Sequence, residues 1–193
     1  QENMLQLIAL TTLITTATVS AKDTPLCRFD GKGPTLKWVQ KNDPVMGGKS
    51  TGTFTVANNT GIFDGDVVDV PFLKAPGFIK ADTYGSSYPD ASACSGIYLN
   101  ARSSTNYTGY RFSFGTAKAP HGGFFSYGFK THFDAPLGSK WQRVEMPFNE
   151  FSDAWNDATG NLDHTCAENK IYCPSVQQLK NFQTMSIWGE GVG

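Results

Sequence analysis

The chain is 193 residues long and carries 16 Lys and Arg against 17 Asp and Glu, a formal net charge of -1. That balance gives no basic nucleic-acid footprint and no polybasic membrane patch, and the length suits one domain with a sizeable core. Charged residues make up only 17% while Gly (20) and Phe (14) are plentiful, which suits short strands joined by turns better than long surface helices.

Met4 to Ala21 is an apolar run ending in Val19-Ser20-Ala21, with small residues at the last and third-last positions. This is the layout of a secretory signal peptide over residues 1–21 with cleavage before Lys22. The run is too short and too rich in Thr for a membrane-spanning helix. The mature domain, 22–193, is therefore expected to carry no membrane span and to reside outside the cell or in a secretory lumen. A mitochondrial presequence is the alternative, although such presequences are Arg-rich and no Arg precedes Arg28.

Leu36 and Trp38 open a short strand that runs into Asn42-Asp43-Pro44. Asn and Asp bond nearby backbone N–H groups in such turns, and Pro44 fixes its own φ. Gly47 and Gly48 then permit positive φ or close backbone approach. Residues 50–56 and 62–68 read as two strands of a hairpin turning over Ala57 to Gly61. A strand start follows at Pro76 to Ala81, then a Gly/Ser/Pro loop from Tyr84 to Ala93. Ser95 to Arg102 and Tyr107 to Phe114 alternate most clearly and read as a second hairpin. Phe124 to Phe133 is an aromatic strand interrupted at Gly128. Lys140 to Phe148 places Trp141, Arg143, Glu145 and Pro147 on one side and Gln142, Val144, Met146 and Phe148 on the other. Ser175 caps the one helical piece, where Val176, Leu179 and Phe182 share a face. Thr184 to Trp188 is a last strand, and Gly189 to Gly193 reads as an untied end. About eight short strands with little helix predict an all-β, antiparallel sandwich or jelly roll with one short C-terminal helix.

Cys27, Cys94, Cys166 and Cys173 are an even set, all after the cleavage site, which predicts disulfides in an oxidising compartment. Cys166–Cys173 is the favoured pair because it closes a short loop, leaving Cys27–Cys94. A zinc site using His164, Cys166 and Cys173 is the alternative, but it lacks a Cys-x-x-Cys element. Asn58 and Asn106 head glycosylation triplets, usable only in a secretory lumen.

Asn42 and Asp43, with Asp64 and Asp66 near in sequence, offer hard oxygen donors for calcium. The preferred reading is that they bond the turn, so no metal or other cofactor is expected. Met46 is read as buried filler. Glu145, Glu150, Asp153 and Asp157 surround Trp155, but nothing in the sequence fixes their separation, so hydrolysis of a glycosidic bond is not favoured. No Gly-x-Ser-x-Gly elbow accompanies His121, His132 or His164, and Gly47-Gly48-Lys49-Ser50 lacks the setting of a phosphate loop. For binding, Tyr98, Tyr107, Tyr127, Trp141 and Trp155 offer aromatic faces to sugar rings, with Asn100 and Arg102 as hydrogen-bonding partners. Trp38 and Trp141 are assigned to the core, and Trp155, in a polar loop, is the exposed candidate.

The run Trp38…Asn42-Asp43-Pro44-Val45-Met46-Gly47-Gly48-Lys49-Ser50 followed by Gly52-x-Phe54 resembles the opening motif of the complex I intermediate-associated protein 30 family. Gly77-Phe78, Gly96 to Arg102, and Trp141-x-x-Val144-x-Met146-Pro147-Phe148-x-x-Phe151 are similar to its later motifs, so the resemblance spans Phe29 to Trp188. At Ser103 to Asn106 the chain departs from the family's Gly-Asp-Gly turn. The resemblance implies a galactose-binding-domain-like β-sandwich and a further strand after Gly189 to Gly193, so that the domain is truncated at its C-terminus. It also implies a non-enzymatic, chaperone-like role in assembling respiratory complex I. The partner expected is a protein, or a glycan if the domain acts as a carbohydrate-binding module of the secretory pathway.

Overall fold

The computed structural model describes residues 23–43, 47–83, 88–115, 120–121 and 128–192. The expected signal peptide, Pro44, Met46 and Tyr127 lie outside the described residues. Among the described residues nine strands form: β1 (Trp38–Asn42), β2 (Thr51–Ala57), β3 (Thr60–Asp66), β4 (Phe78–Thr83), β5 (Gly96–Ala101), β6 (Tyr110–Gly115), β7 (Phe129–His132), β8 (Gln142–Pro147) and β9 (Thr184–Glu190). The α-helix described is α1 (Val176–Lys180). The architecture is all-β and sandwich-like: a five-stranded antiparallel sheet in the order β1-β4-β9-β6-β7, with two-stranded ribbons β2–β3 and β5–β8.

The β2–β3 hairpin forms where the sequence places it. Asn58 and Asn59 both adopt positive φ (51° and 59°), the conformation whose twist matches the flanking strands. Its Phe54 ring stacks on Trp38 at 4.9 Å. Trp38 is half-buried rather than deep in the core, and its indole nitrogen is buried without a hydrogen-bond partner among the described residues.

The second expected hairpin does not exist. β5 pairs with β8, Tyr98 opposite Glu145 and Asn100 opposite Arg143, while β6 joins the large sheet between β7 and β9. Alternation reveals a strand and its two faces but not its partner. Here Ser103 decides the path. Its buried hydroxyl accepts the Thr105 N–H at 3.2 Å and bonds the Thr105 carbonyl at 2.7 Å and the Tyr110 hydroxyl at 3.0 Å. The segment is thereby folded into a corner that leaves one layer and enters the other.

The C-terminal residues, expected to be untied, include the centre of the fold. β9 pairs with β4 on one side and β6 on the other, and Gly191 N–H donates to Gly77 O at 2.9 Å. One face of the large sheet supplies Phe112, Phe114, Phe129 and Met185 to a core shared with Ile97, Met146, Phe148 and Phe151. Phe114 is its hub, with Phe182 stacked at 4.4 Å and Phe151 edge-on at 5.0 Å. The helix begins as expected, with Ser175 and Gln178 in a reciprocal capping box. Leu179 and Phe182 enter the core, but Val176, expected on the same face, is exposed.

Cys166 and Cys173 form a disulfide, which removes both thiolates from the zinc alternative. Cys27 and Cys94 are unbonded, contrary to the expected second pair. Cys27 packs against the core while Cys94 is exposed in a turn, its N–H donating to Ala91 O. No helix among the described residues is long and apolar enough to cross a membrane.

Candidate functional site

The opening motif builds geometry. Asn42 Oδ1 accepts the Gly52 N–H at 2.9 Å, tying β1 to β2. Ser50 Oγ accepts the Val68 N–H at 3.0 Å. Asp43 is buried, and a Cβ on Gly48 would sit 2.4 Å from its carboxyl carbon, so that position admits only Gly. Asp64 and Asp66 are exposed on β3. No group of three or more potential metal ligands comes together among the described residues.

Of the residues selected for binding, the structure gathers Tyr98, Asn100, Arg102 and Trp141. They lie with Arg143 and Glu145 along the outward face of the β5–β8 ribbon, whose other face supplies Ile97 and Met146 to the core. Trp141 is 49% exposed, which corrects its assignment to the core. The reason is its place: it precedes β8 on the solvent side of the alternation, opposite buried Met146. The Arg102 guanidinium lies 4.6 Å from the Trp141 ring centre and donates to Ser139 O at 2.6 Å. The Arg143 guanidinium lies 3.5 Å from the Tyr98 ring centre. It donates to Asp23 at 3.1 Å and Glu145 at 2.8 Å. Its hydrogen bond holds the Asp23 carboxyl below the usual carboxylate range. Two stacked cation–aromatic pairs thus stand on a two-stranded platform open to solvent.

Tyr107 is elsewhere. Its hydroxyl donates to Gly191 O at 2.7 Å, and burial pushes its pKa up to about 12. Pro147 ends β8, and Phe148 opens a 3-10 turn and is buried in the core. The two glycosylation candidates, Asn58 and Asn106, are both exposed.

A second cluster, unforeseen from the sequence, covers the other face of the large sheet. Lys80 and Lys41 both reach Asp82 at 3.1 Å. Lys130 reaches Glu190 at 3.0 Å, with Arg111 at 3.9 Å. Trp188 lies among them, its indole N–H donating to Ser113 Oγ at 2.8 Å and its ring 4.4 Å from the Lys80 ammonium. Burial pulls the pKa values of Lys80 and Lys130 down, opposed by Asp82 and Glu190 respectively. Lys and Asp are rarely this buried unless paired. The signal is present in the sequence as polar residues two apart: Lys80 and Asp82, Arg111 and Ser113, Lys130 and His132, Ser186, Trp188 and Glu190. The pairing of β4, β9, β6 and β7 brings these side chains onto one face.

A third place is a cleft of about 820 Å³ beside this network, lined by His121, Trp155, Asp157, Asp163, His164 and Tyr172 among others. Trp155, expected to be exposed, is only 8% so. Its indole N–H donates to Ser152 O and Lys130 O, and the Lys130 ammonium lies 4.4 Å from its ring. Asp153 is fully buried, with Oδ2 2.8 Å from His121 Nδ1 and 3.2 Å from the His121 backbone N–H. This is the orienting half of a nucleophile–base arrangement. Among the described residues, no hydroxyl or thiol is bonded to the other ring nitrogen. The acids that the sequence groups around Trp155 are dispersed: Glu145 on the ribbon, Asp153 under His121, Asp157 in the cleft and Glu150 exposed.

The fold and the exposed ribbon define an all-β, sandwich-like domain with a flat aromatic and cationic face. Residues 27–173 match the family described as complex I intermediate-associated protein 30, and the chain belongs to that family. No curated protein and no solved structure matches the chain.

Proposed function

We propose that this chain is a non-enzymatic protein-binding module that acts in the assembly of respiratory complex I, using the outward face of the β5–β8 ribbon as its docking surface. The observation that carries the reading is the exposed Trp141 ring held beneath Arg102, with Tyr98 and Arg143 as a second stack on the same face. Trp, Tyr and Arg dominate the energetics of protein interfaces, because they bring large contact area with little further ordering. Family membership supplies the class of partner. Affinity capture of the tagged chain tests this: complex I subunits are expected to co-purify with the wild type and to be lost with Trp141→Ala. Unchanged capture by the variant refutes the ribbon as the docking face.

A second reading is favoured by two observations. The Cys166–Cys173 disulfide suits an oxidising compartment, and Asn58 and Asn106 are both exposed for glycosylation. In that reading the same ribbon, with Asn100 beside its aromatics, is a glycan-binding face in the secretory pathway. Tracking a tagged chain separates the two. Mitochondrial signal supports complex I assembly; secretion with a glycosidase-sensitive change in mobility supports the alternative.

A further inference from the structure

We infer that the β5–β8 ribbon reads an acidic segment of its protein partner, with a carboxylate of that segment seated against the Arg102–Trp141 stack. The inference rests on the ribbon being the docking face and adds the chemistry of what docks there.

The face already holds one carboxylate. Asp23, 120 positions before Arg143, accepts on Oδ2 both the Arg143 Nη1–H at 3.1 Å and the Tyr98 hydroxyl at 3.2 Å. The seat is a guanidinium laid over an aromatic ring, with the polar tip of that ring as a second donor. An exposed side chain from a distant segment takes this place although water competes for both partners. The Arg143 charge is fully met there, because Glu145 also accepts its Nε–H at 2.8 Å.

The same construction recurs at the other end of the ribbon without a carboxylate of the chain's own. Arg102 and Trp141 stand two residues along their strands from Asn100 and Arg143, a step of about 7 Å. Arg102 donates to the neutral Ser139 carbonyl, which fixes the guanidinium over the indole and leaves most of its five donors. Among the described residues no carboxylate is paired with Arg102 or with the exposed Lys140 beside Trp141, and the Trp141 indole N–H has no acceptor. A planar guanidinium with a second donor at its side suits the paired oxygens of an Asp or Glu side chain. Asn100, exposed between the two stacks, offers an amide to the backbone of the segment that carries it.

Titration of the oxidised full chain with acetyl-Ala-Glu-Ala amide, followed through the Trp141 indole N–H resonance, tests the inference. Binding is expected to be about fivefold tighter than that of the neutral acetyl-Ala-Gln-Ala amide, the upper scale of an exposed ion pair. Added salt should shrink the preference. Arg102→Gln should abolish it, and Arg102→Lys should keep part of it. Asp23→Asn frees the first seat, so the Tyr98 ring resonances should join the response. Equal binding of the two peptides, a preference that survives Arg102→Gln, or a silent Tyr98 in the Asp23→Asn variant overturns the inference. Tighter binding of methyl glucuronide overturns it too, because the acid would then belong to a sugar. Capture of complex I subunits separates this from the docking reading. Capture lost with Trp141→Ala but kept with Arg102→Gln would leave the ribbon as the docking face and refute only the acidic contact. Capture kept with Trp141→Ala would refute the docking face itself, and with it the partner named here.

Discussion

Removing the Cys166–Cys173 cross-link with the double substitution Cys166→Ala and Cys173→Ala is expected to destabilise the domain measurably. The two residues are separated by 7 positions. Closing a loop of that length restricts the unfolded chain by about 2.4 kcal/mol in the chain-entropy account of disulfides. The native loop is tied independently: Ser152 and Asp153 bond both of its flanks, and a short 3-10 turn at Lys170–Tyr172 is capped by Asn169. It should therefore keep its path without the cross-link, and the loss should be close to the entropic figure. For a domain of this size, that lowers the midpoint of thermal unfolding by roughly 5–10 °C. Melting curves by circular dichroism, with and without a reductant, provide the assay. Reductant should lower the wild-type midpoint by a similar amount and leave the double variant unmoved. A shift of less than about 1 °C in both comparisons would refute the reasoning, because the cross-link would then constrain nothing.

Phe114→Ala removes the hub of the aromatic core and is expected to cost about 3–5 kcal/mol, read from urea unfolding; a cost near that of a surface substitution would show that the hub is misplaced. Tyr107 contributes stability that is fully present below its unfolded pKa near 10 and is lost as pH rises through its folded value of about 12. The wild type should therefore lose stability relative to Tyr107→Phe between those values, in pH-dependent unfolding, and parallel curves would contradict the burial of this hydroxyl.

Periodicity makes the strands legible, and turn chemistry makes the β2–β3 hairpin legible through Asn58 and Asn59. Pairing is not. The corner at Ser103 depends on contacts with Tyr110 and Pro136 that no local pattern announces. The same limit explains β9: Thr184 to Glu190 reads as an ordinary late strand, and only its pairing on both sides makes it central.

The candidate sites divide along similar lines. Asn100, Arg102 and Tyr98 share a strand face by their spacing alone, and Trp141 joins them because β8 pairs with β5. Trp155 is misread from sequence because its neighbours are polar, yet those neighbours satisfy its indole N–H and bury it. The Asp153–His121 contact joins residues 32 apart and leaves no local trace. The charged face of the large sheet is written in the alternation throughout. Two-sided burial hides it, because a polar face on a strand is ordinarily assigned to solvent.

The most direct test of the docking face is complementation of cells that lack this protein, with complex I assembly resolved by native gel electrophoresis. Loss of the protein is expected to leave complex I stalled at an intermediate. The wild type should restore it, while the Trp141→Ala, Arg102→Ala double variant, folded and expressed at the same level, should not. Full assembly in the deficient cells, or full rescue by the double variant, would contradict the account.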